Sequence, residues 1–221
     1  MSAEIKHPKN LTIRKNLIIL LVALLSATAC KKDKPSRAPI PTNDNVTINS
    51  MSYPTVKIGK QRWTSANYSG SGGLTIEPGK NRPGYGKLYS QEESLSLSLP
   101  QGWRVPSPAD YLELCRATGI LLPEKGNSEQ TTLIEKLMSV DSAWIHGAGT
   151  NAIGFNAMPS GYIYVDLAVG QGLSAKLMTS EKVGRVRTYF HITRYADATT
   201  AGLRSVSTPE STGLRFVREE E

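Results

Sequence analysis

The sequence predicts an α+β domain of short, mostly antiparallel strands with two amphipathic helices, at about 107–119 and 128–140. Three observations predict it. Short runs rich in β-branched and aromatic residues, bounded by Gly, Pro, Asn and Ser, recur on either side of a central region. Apolar residues at helical spacing lie in that central region. No internal repeat and no second linker interrupts residues 46–218, so they read as one domain.

The elements follow in order. Residues 55–58 alternate into the turn Gly59-Lys60, and residues 61–64 read as the returning strand of a hairpin. A glycine-rich loop covers 69–86. Ser107 is placed to cap a helix, with Pro108 at its first position, Asp110 near the positive end of its dipole and Gly119 able to end it. Tyr111, Leu114 and Cys115, extended by Leu112, give that helix an apolar face. A second helix is expected from Ser128, because Leu133, Ile134, Leu137 and Met138 form two adjacent i, i+4 pairs. Strands return at 161–165, 186–192, 202–206 and 214–218. In 186–192 the alternation sets Arg187, Tyr189 and His191 against Thr188, Phe190 and Ile192, and the second set is expected on the buried face.

The amino terminus needs its own explanation. Residues 17–25 are an unbroken apolar run, preceded by Lys6, Lys9, Arg14 and Lys15 and followed by Ser26, Ala27, Thr28 and Ala29. That is the order of a secretory signal peptide. The run is about half of the roughly 20 residues a spanning helix needs, and it lacks the polar face of a buried core helix. Ala27-Thr28-Ala29-Cys30 resembles the bacterial lipobox, with Ala27 where leucine is usual. Ordinary cleavage after Ala29 also satisfies the small-residue rule; the cysteine directly after the site, followed by a polar tether, favours lipidation at Cys30. The expected partner is then the lipid bilayer, reached through acylated Cys30, because each buried methylene contributes about 0.8 kcal/mol and two or more chains anchor stably.

Removing residues 1–29 lowers Lys+Arg from 26 to 22 and Asp+Glu from 19 to 18, so the net charge falls from +7 to +4. Part of the remainder is in the tether at 30–45, where Lys31, Lys32, Lys34 and Arg37 face Asp33 and Asp44. Those cations suit lipid headgroups, while Pro35, Pro39 and Pro41 suit a solvated linker equally well. Export argues against nucleic acid as a partner. With Cys30 committed to lipid, Cys115 has no disulfide partner and is expected as a buried free thiol.

Five blocks carry a resemblance. They are 56–63 with Asn67, 85–89, 100–107 around Trp103, 154–162 and 213–218. In that order they resemble the Fibrobacter succinogenes major paralogous domain, FISUMP, over nearly all of the mature domain. The resemblance implies an exported or surface-displayed domain, commonly on lipoproteins of Bacteroidetes-type bacteria, with a single C-type-lectin-like fold and no established reaction. Family members often carry one cysteine before the block at 100–107 and another in the last strand. Leu99 and Phe216 stand there, and the resemblance implies that they touch. The family's Trp-Ser-Ser is Met178-Thr179-Ser180 here, which puts in doubt any surface depending on that tryptophan.

The chemistry of the residues narrows the function. Calcium-dependent lectins use Glu-Pro-Asn or Gln-Pro-Asp with a later Trp-Asn-Asp; none occurs, so neither a metal nor another cofactor is expected. His146 and His191 have no metal-ligand spacing and no neighbouring Ser, Cys or Asp pattern of a triad, so no catalytic residue is assigned. Gly170-Gln171-Gly172 matches a dinucleotide fingerprint only formally and reads as a turn. Trp63 and Trp103 are expected in the core. Tyr164, Arg187 and Tyr189 alternate onto the expected outer face and are the candidate ligand-binding residues. The expectation is an exported, membrane-anchored lipoprotein at the outer membrane or cell surface rather than the inner membrane. It would act as a binding or adhesion module toward a glycan or protein, without catalysis. A structural envelope or assembly protein is the alternative, and a hydrolase with an unrecognised site is the third.

Overall fold

The computed structural model describes residues 44–76, 83–124, 126–141 and 143–220. Strands β1 (Asn45–Ile48), β2 (Met51–Ile58) and β3 (Gln61–Thr64) are consecutive antiparallel partners, and the Gly59-Lys60 turn joins β2 to β3. After a 3-10 turn at Pro83–Tyr85 come β4 (Leu88–Tyr89), α1 (Gln91–Leu95), α2 (Pro108–Ala117) and α3 (Thr131–Ile134). The rest is β: β5 (Tyr162–Tyr164), β6 (Leu167–Val169), β7 (Ser174–Val183), β8 (Val186–Arg194), β9 (Thr199–Val206), β10 (Glu210–Gly213) and β11 (Val217–Glu219). One sheet has the order β1-β2-β3-β11. The other runs β6-β5-β10-β7-β8-β9, with β4 on β10.

The architecture is therefore mostly β, with three short helices among the described residues, and it corrects the expected two-helix, C-type-lectin-like α+β fold. Helix α2 forms where its caps lie. Ser107 Oγ accepts from the Asp110 amide at 3.3 Å, and Asp110 accepts from the Ser107 amide at 2.6 Å. Such a cap contributes about 1 kcal/mol. Gly119, at φ +80°, follows the helix end. The second expected helix, 128–140, shrinks to α3. The carbonyls that would continue it are taken from outside: Thr150 N donates to Glu135 O at 2.8 Å, Ala157 N to Leu137 O at 2.8 Å and Asn151 N to Met138 O at 3.0 Å. Leu137 and Met138 still enter the core, Leu137 from a turn and Met138 from an isolated bridge to Ala157.

Two apolar clusters hold the domain. The first joins Trp63 of β3, Tyr111, Leu114 and Cys115 of α2 to Leu177 of β7 and Phe190 of β8. Tyr111 stacks on Phe190 with ring centroids 4.6 Å apart. The second joins Ile48, Tyr53, Tyr68 and Tyr89 to Met178, Tyr189 and Phe216. Successive residues of β7 and β8 thus face different clusters, so the middle of the large sheet is covered on both sides. Leu99 packs against the cluster that contains Phe216. Met178 is fully buried. Cys115 is a buried free thiol, pushed up to about 12 by burial.

Arg215 ties the sequence blocks together. Its side chain has no exposure, and it donates to Asn67 Oδ1 at 2.6 Å, Thr64 O at 2.8 Å, Phe155 O at 2.9 Å and Asn156 O at 2.8 Å. The guanidinium carbon also sits 5.1 Å from the Phe155 ring centroid.

Candidate functional site

Strand β7 contains one charged residue inside an apolar run, Ala175-Lys176-Leu177-Met178. Ala175 and Leu177 point into the first cluster, so alternation sends Lys176 to the opposite face. There it is buried against Glu210, the first residue of β10, in a hydrogen-bonded ion pair. Its ammonium lies 4.1 Å from the Tyr162 ring centroid and 5.0 Å from that of Tyr189. Burial pulls Lys176 below the ordinary lysine range, Glu210 opposes that, and the charge of Arg204 adds to it. Tyr189 donates its hydroxyl to the Glu210 carbonyl at 3.3 Å, which fixes the start of β10.

Above this pair opens a cleft of about 240 Å³ whose walls include Tyr162, Tyr164 and Arg204. An adjoining depression of about 320 Å³ shares Thr208 and Glu210 with it and extends to Arg187, Val165 and Asp166. The tyrosines are carried in by the β5–β6 hairpin. Gly161 starts it at φ +66°, where a Cβ would collide with the Val169 carbonyl, so only glycine lets the two strands close this tightly. Val165 and Asp166 form its two-residue turn with φ of +46° and +62°. A β-branched residue is strained there, which is one mark of a functional rather than a purely stable turn.

Arg204 is exposed and, among the described residues, has no hydrogen-bond or ion-pair partner. It sits opposite Tyr189 in the β8–β9 ladder. On the same face, His191 is opposite Lys176 and Gly202. Burial, with Lys176 and Arg204 adding to it, lowers His191 to about 4, so the ring is neutral at physiological pH. Its Nδ1 is buried without a partner among the described residues. The cleft therefore combines exposed aromatic surface, one unpaired guanidinium and a fixed ion pair. That chemistry stacks rings and binds polar or anionic groups.

Residues 56–169 match the Fibrobacter succinogenes major domain family. The chain belongs to that family. No curated protein and no solved structure matches it. The family segment runs from β2 through β6, so it includes Tyr162 and Tyr164 of the cleft. Lys176, Arg204 and Glu210 lie beyond it, as does Arg215. The family's hairpin thus meets charges from the following strands to complete the cleft.

The three residues expected on an outer face have different fates. Tyr164, 42% exposed, lines the cleft. Arg187 lines the adjoining depression but is itself buried, donating to Glu92 at 2.6 Å and to the Arg185 carbonyl at 3.1 Å. Tyr189 is fully buried beneath the site. The outer-face expectation fails for Tyr189 because the second cluster covers it, and for Arg187 because it is buried in its pairing with Glu92 of α1. Trp63 and Trp103 are buried, as expected. His146 is exposed and offers only its backbone carbonyl, to Arg194 Nε at 3.0 Å. Among the described residues no three His, Cys, Asp or Glu side chains are grouped as metal ligands. Cys30 and the apolar run at 17–25 lie outside the described residues, within which no helix is long and apolar enough to cross a membrane.

Sequence reasoning missed Lys176, Arg204 and Glu210. A lysine flanked by Ala175 and Leu177 in a strand was a readable signal, since such a lysine is exposed on one face or paired. Its partner, 34 residues later, was not readable without the topology.

Proposed function

We propose that this domain is an exported, lipid-anchored binding module whose ligand occupies the cleft between Tyr164 and Arg204. The carrying observation is that Tyr164 and Arg204 stand exposed and unused by the fold at the mouth of a cleft with a fixed ionic floor. Unused aromatic and guanidinium groups converging on one depression favour recognition over support. The lipobox-like sequence ending at Cys30 supports anchoring, with the domain displayed at the outer membrane or cell surface. The full chain, purified in detergent, is screened on a saccharide array and against cell-envelope fractions. Retention that disappears in Tyr164→Ala is expected; reproducible silence in both screens counts against the reading. Separately, Cys30→Ser is expected to move the protein from the detergent phase to the aqueous phase in a cloud-point partition.

A structural or assembly role is favoured by one other feature. Strand β6 forms an outer edge of the large sheet with all three residues exposed, Leu167 by 66%. An apolar edge of this kind invites strand pairing with another chain. Sedimentation of the purified protein tests it: a dimer abolished by Leu167→Lys supports assembly, and a monomer at all concentrations removes it.

A further inference from the structure

We infer that the ligand of this cleft is an acidic saccharide built of uronic-acid units, one carboxylate of which Arg204 clamps while Tyr164 stacks on the sugar ring. The inference rests on the cleft being the binding site. Three features select the ligand class.

Charge comes first. Lys176 is already neutralised by Glu210, so among the described residues Arg204 supplies the one unbalanced charge of the cleft walls. One unbalanced cation suits one singly charged group; a phosphate, with a charge of about −1.5 to −2, would carry more charge than Arg204 can balance. Shape comes second. A guanidinium presents a planar fork that matches a carboxylate through two parallel hydrogen bonds, and that of Arg204 has no competing partner among the described residues. Size comes third. About 240 Å³ lies below the roughly 300–1,000 Å³ of sites for drug-sized ligands, and so suits one or two pyranose rings. The Lys176 ammonium is held against the Tyr162 ring, whereas Tyr164 has no ring or cation partner among the described residues, leaving its ring for a ligand. Sugar rings use such a face because their C–H groups are apolar while their hydroxyls bond at the rim. Glu210 and the hydroxyl of Thr208 supply acceptors and a donor there.

The test is calorimetric titration of the full chain in detergent micelles with trigalacturonate, its methyl ester and triglutamate. Trigalacturonate is expected to bind at least tenfold tighter than the ester, and to weaken severalfold between low and high salt as a screened charge contact does. Arg204→Gln is expected to remove the preference for the acid, while Arg204→Lys retains part of it. Tyr164→Ala is expected to weaken acid and ester alike. Both residues are exposed, so these variants should fold, which thermal unfolding verifies. Equal binding of acid and ester, or an acid preference untouched in Arg204→Gln, overturns the charge assignment while leaving the cleft reading standing. Tighter binding of triglutamate than of trigalacturonate overturns the saccharide assignment. No saccharide bound here or on the array overturns both.

Discussion

Arg215 and Lys176 are both cations taken out of water, and the domain compensates them in opposite ways. Arg215 has no carboxylate partner among the described residues: four neutral oxygens from Thr64, Asn67, Phe155 and Asn156 receive its donors, and burial draws it down to about 9. Lys176 has one carboxylate and two aromatic rings, at the floor of an open cleft. The difference teaches what each is for. A cage of three backbone carbonyls and the Asn67 amide oxygen works only if every contributing segment is in place, so Arg215 holds the fold together. An ion pair against tyrosine rings involves few segments and stays beside solvent, so Lys176 belongs to the site.

Replacing Arg215 tests that distinction with the largest expected effect. Arg215→Met leaves four buried oxygens without their donor, at about 1–3 kcal/mol each and not strictly additive. A total loss of about 5 kcal/mol or more is expected, comparable to the whole stability of a marginal domain. Arg215→Lys should rescue little, because a tetrahedral ammonium cannot reach acceptors arranged for a planar fork. Urea unfolding measures both; a loss under about 2 kcal/mol in Arg215→Met would show that the cage is not structural.

The ion pair should behave differently. Lys176→Met strands a buried carboxylate and is expected to cost about 3–5 kcal/mol, whereas Lys176→Met with Glu210→Gln should return to within about 1 kcal/mol of the parent. Recovery in the double variant shows that the pair is dispensable to the fold. If the double variant is as damaged as the single one, Lys176 is a second structural rivet and the comparison fails.

The same contrast explains what the sequence alone could show. The β2–β3 hairpin and the start of α2 were legible because a glycine turn and the Ser107/Asp110 cap act over three or four residues. The Ser90/Glu93 box that caps α1 is equally local. The expected helix at 128–140 had the right apolar spacing, but Glu135, Leu137 and Met138 give their carbonyls to residues 149–157, a choice made by tertiary structure. Residues Tyr189 and Arg187 alternate as expected; what alternation cannot reveal is that the second cluster covers Tyr189 and that Glu92 of α1 pairs with Arg187. The cleft was half legible. Tyr164 stood out as an aromatic in a short strand, while Glu210 became a site residue only when β10 was laid between β5 and β7.

His191 gives a smaller effect with a defined sign. The unfolded chain takes up a proton near pH 6.5 and the folded chain only near pH 4. Between those values the unfolded state binds more protons, so stability is full above about 6.5 and falls as pH drops toward 4. The fall is up to roughly 3 kcal/mol, at about 1.4 kcal/mol per pH unit. His191→Phe should flatten it, because phenylalanine binds no proton in either state, and among the described residues Nδ1 has no partner to lose. Asp110 also loses stability on acidification, since burial opposes its charge but Arg104 and Ser107 hold it below the ordinary carboxylate range, and that loss comes at lower pH. A pH slope between 6.5 and 4 that survives in His191→Phe would assign it elsewhere.

The smallest effect bears most on function. Among the described residues Arg204 has no partner, and its charge works against both Lys176 and His191. Arg204→Gln should therefore shift the unfolding free energy by less than about 0.5 kcal/mol, and toward greater stability. Tyr164→Ala, at an exposed position, should be similarly mild. A group that slightly destabilises the free protein is kept by something other than folding, and in binding sites that something is the ligand. If Arg204→Gln instead costs more than about 1 kcal/mol in urea, the guanidinium is serving the fold, and the cleft loses the feature that separates it from the Arg215 cage.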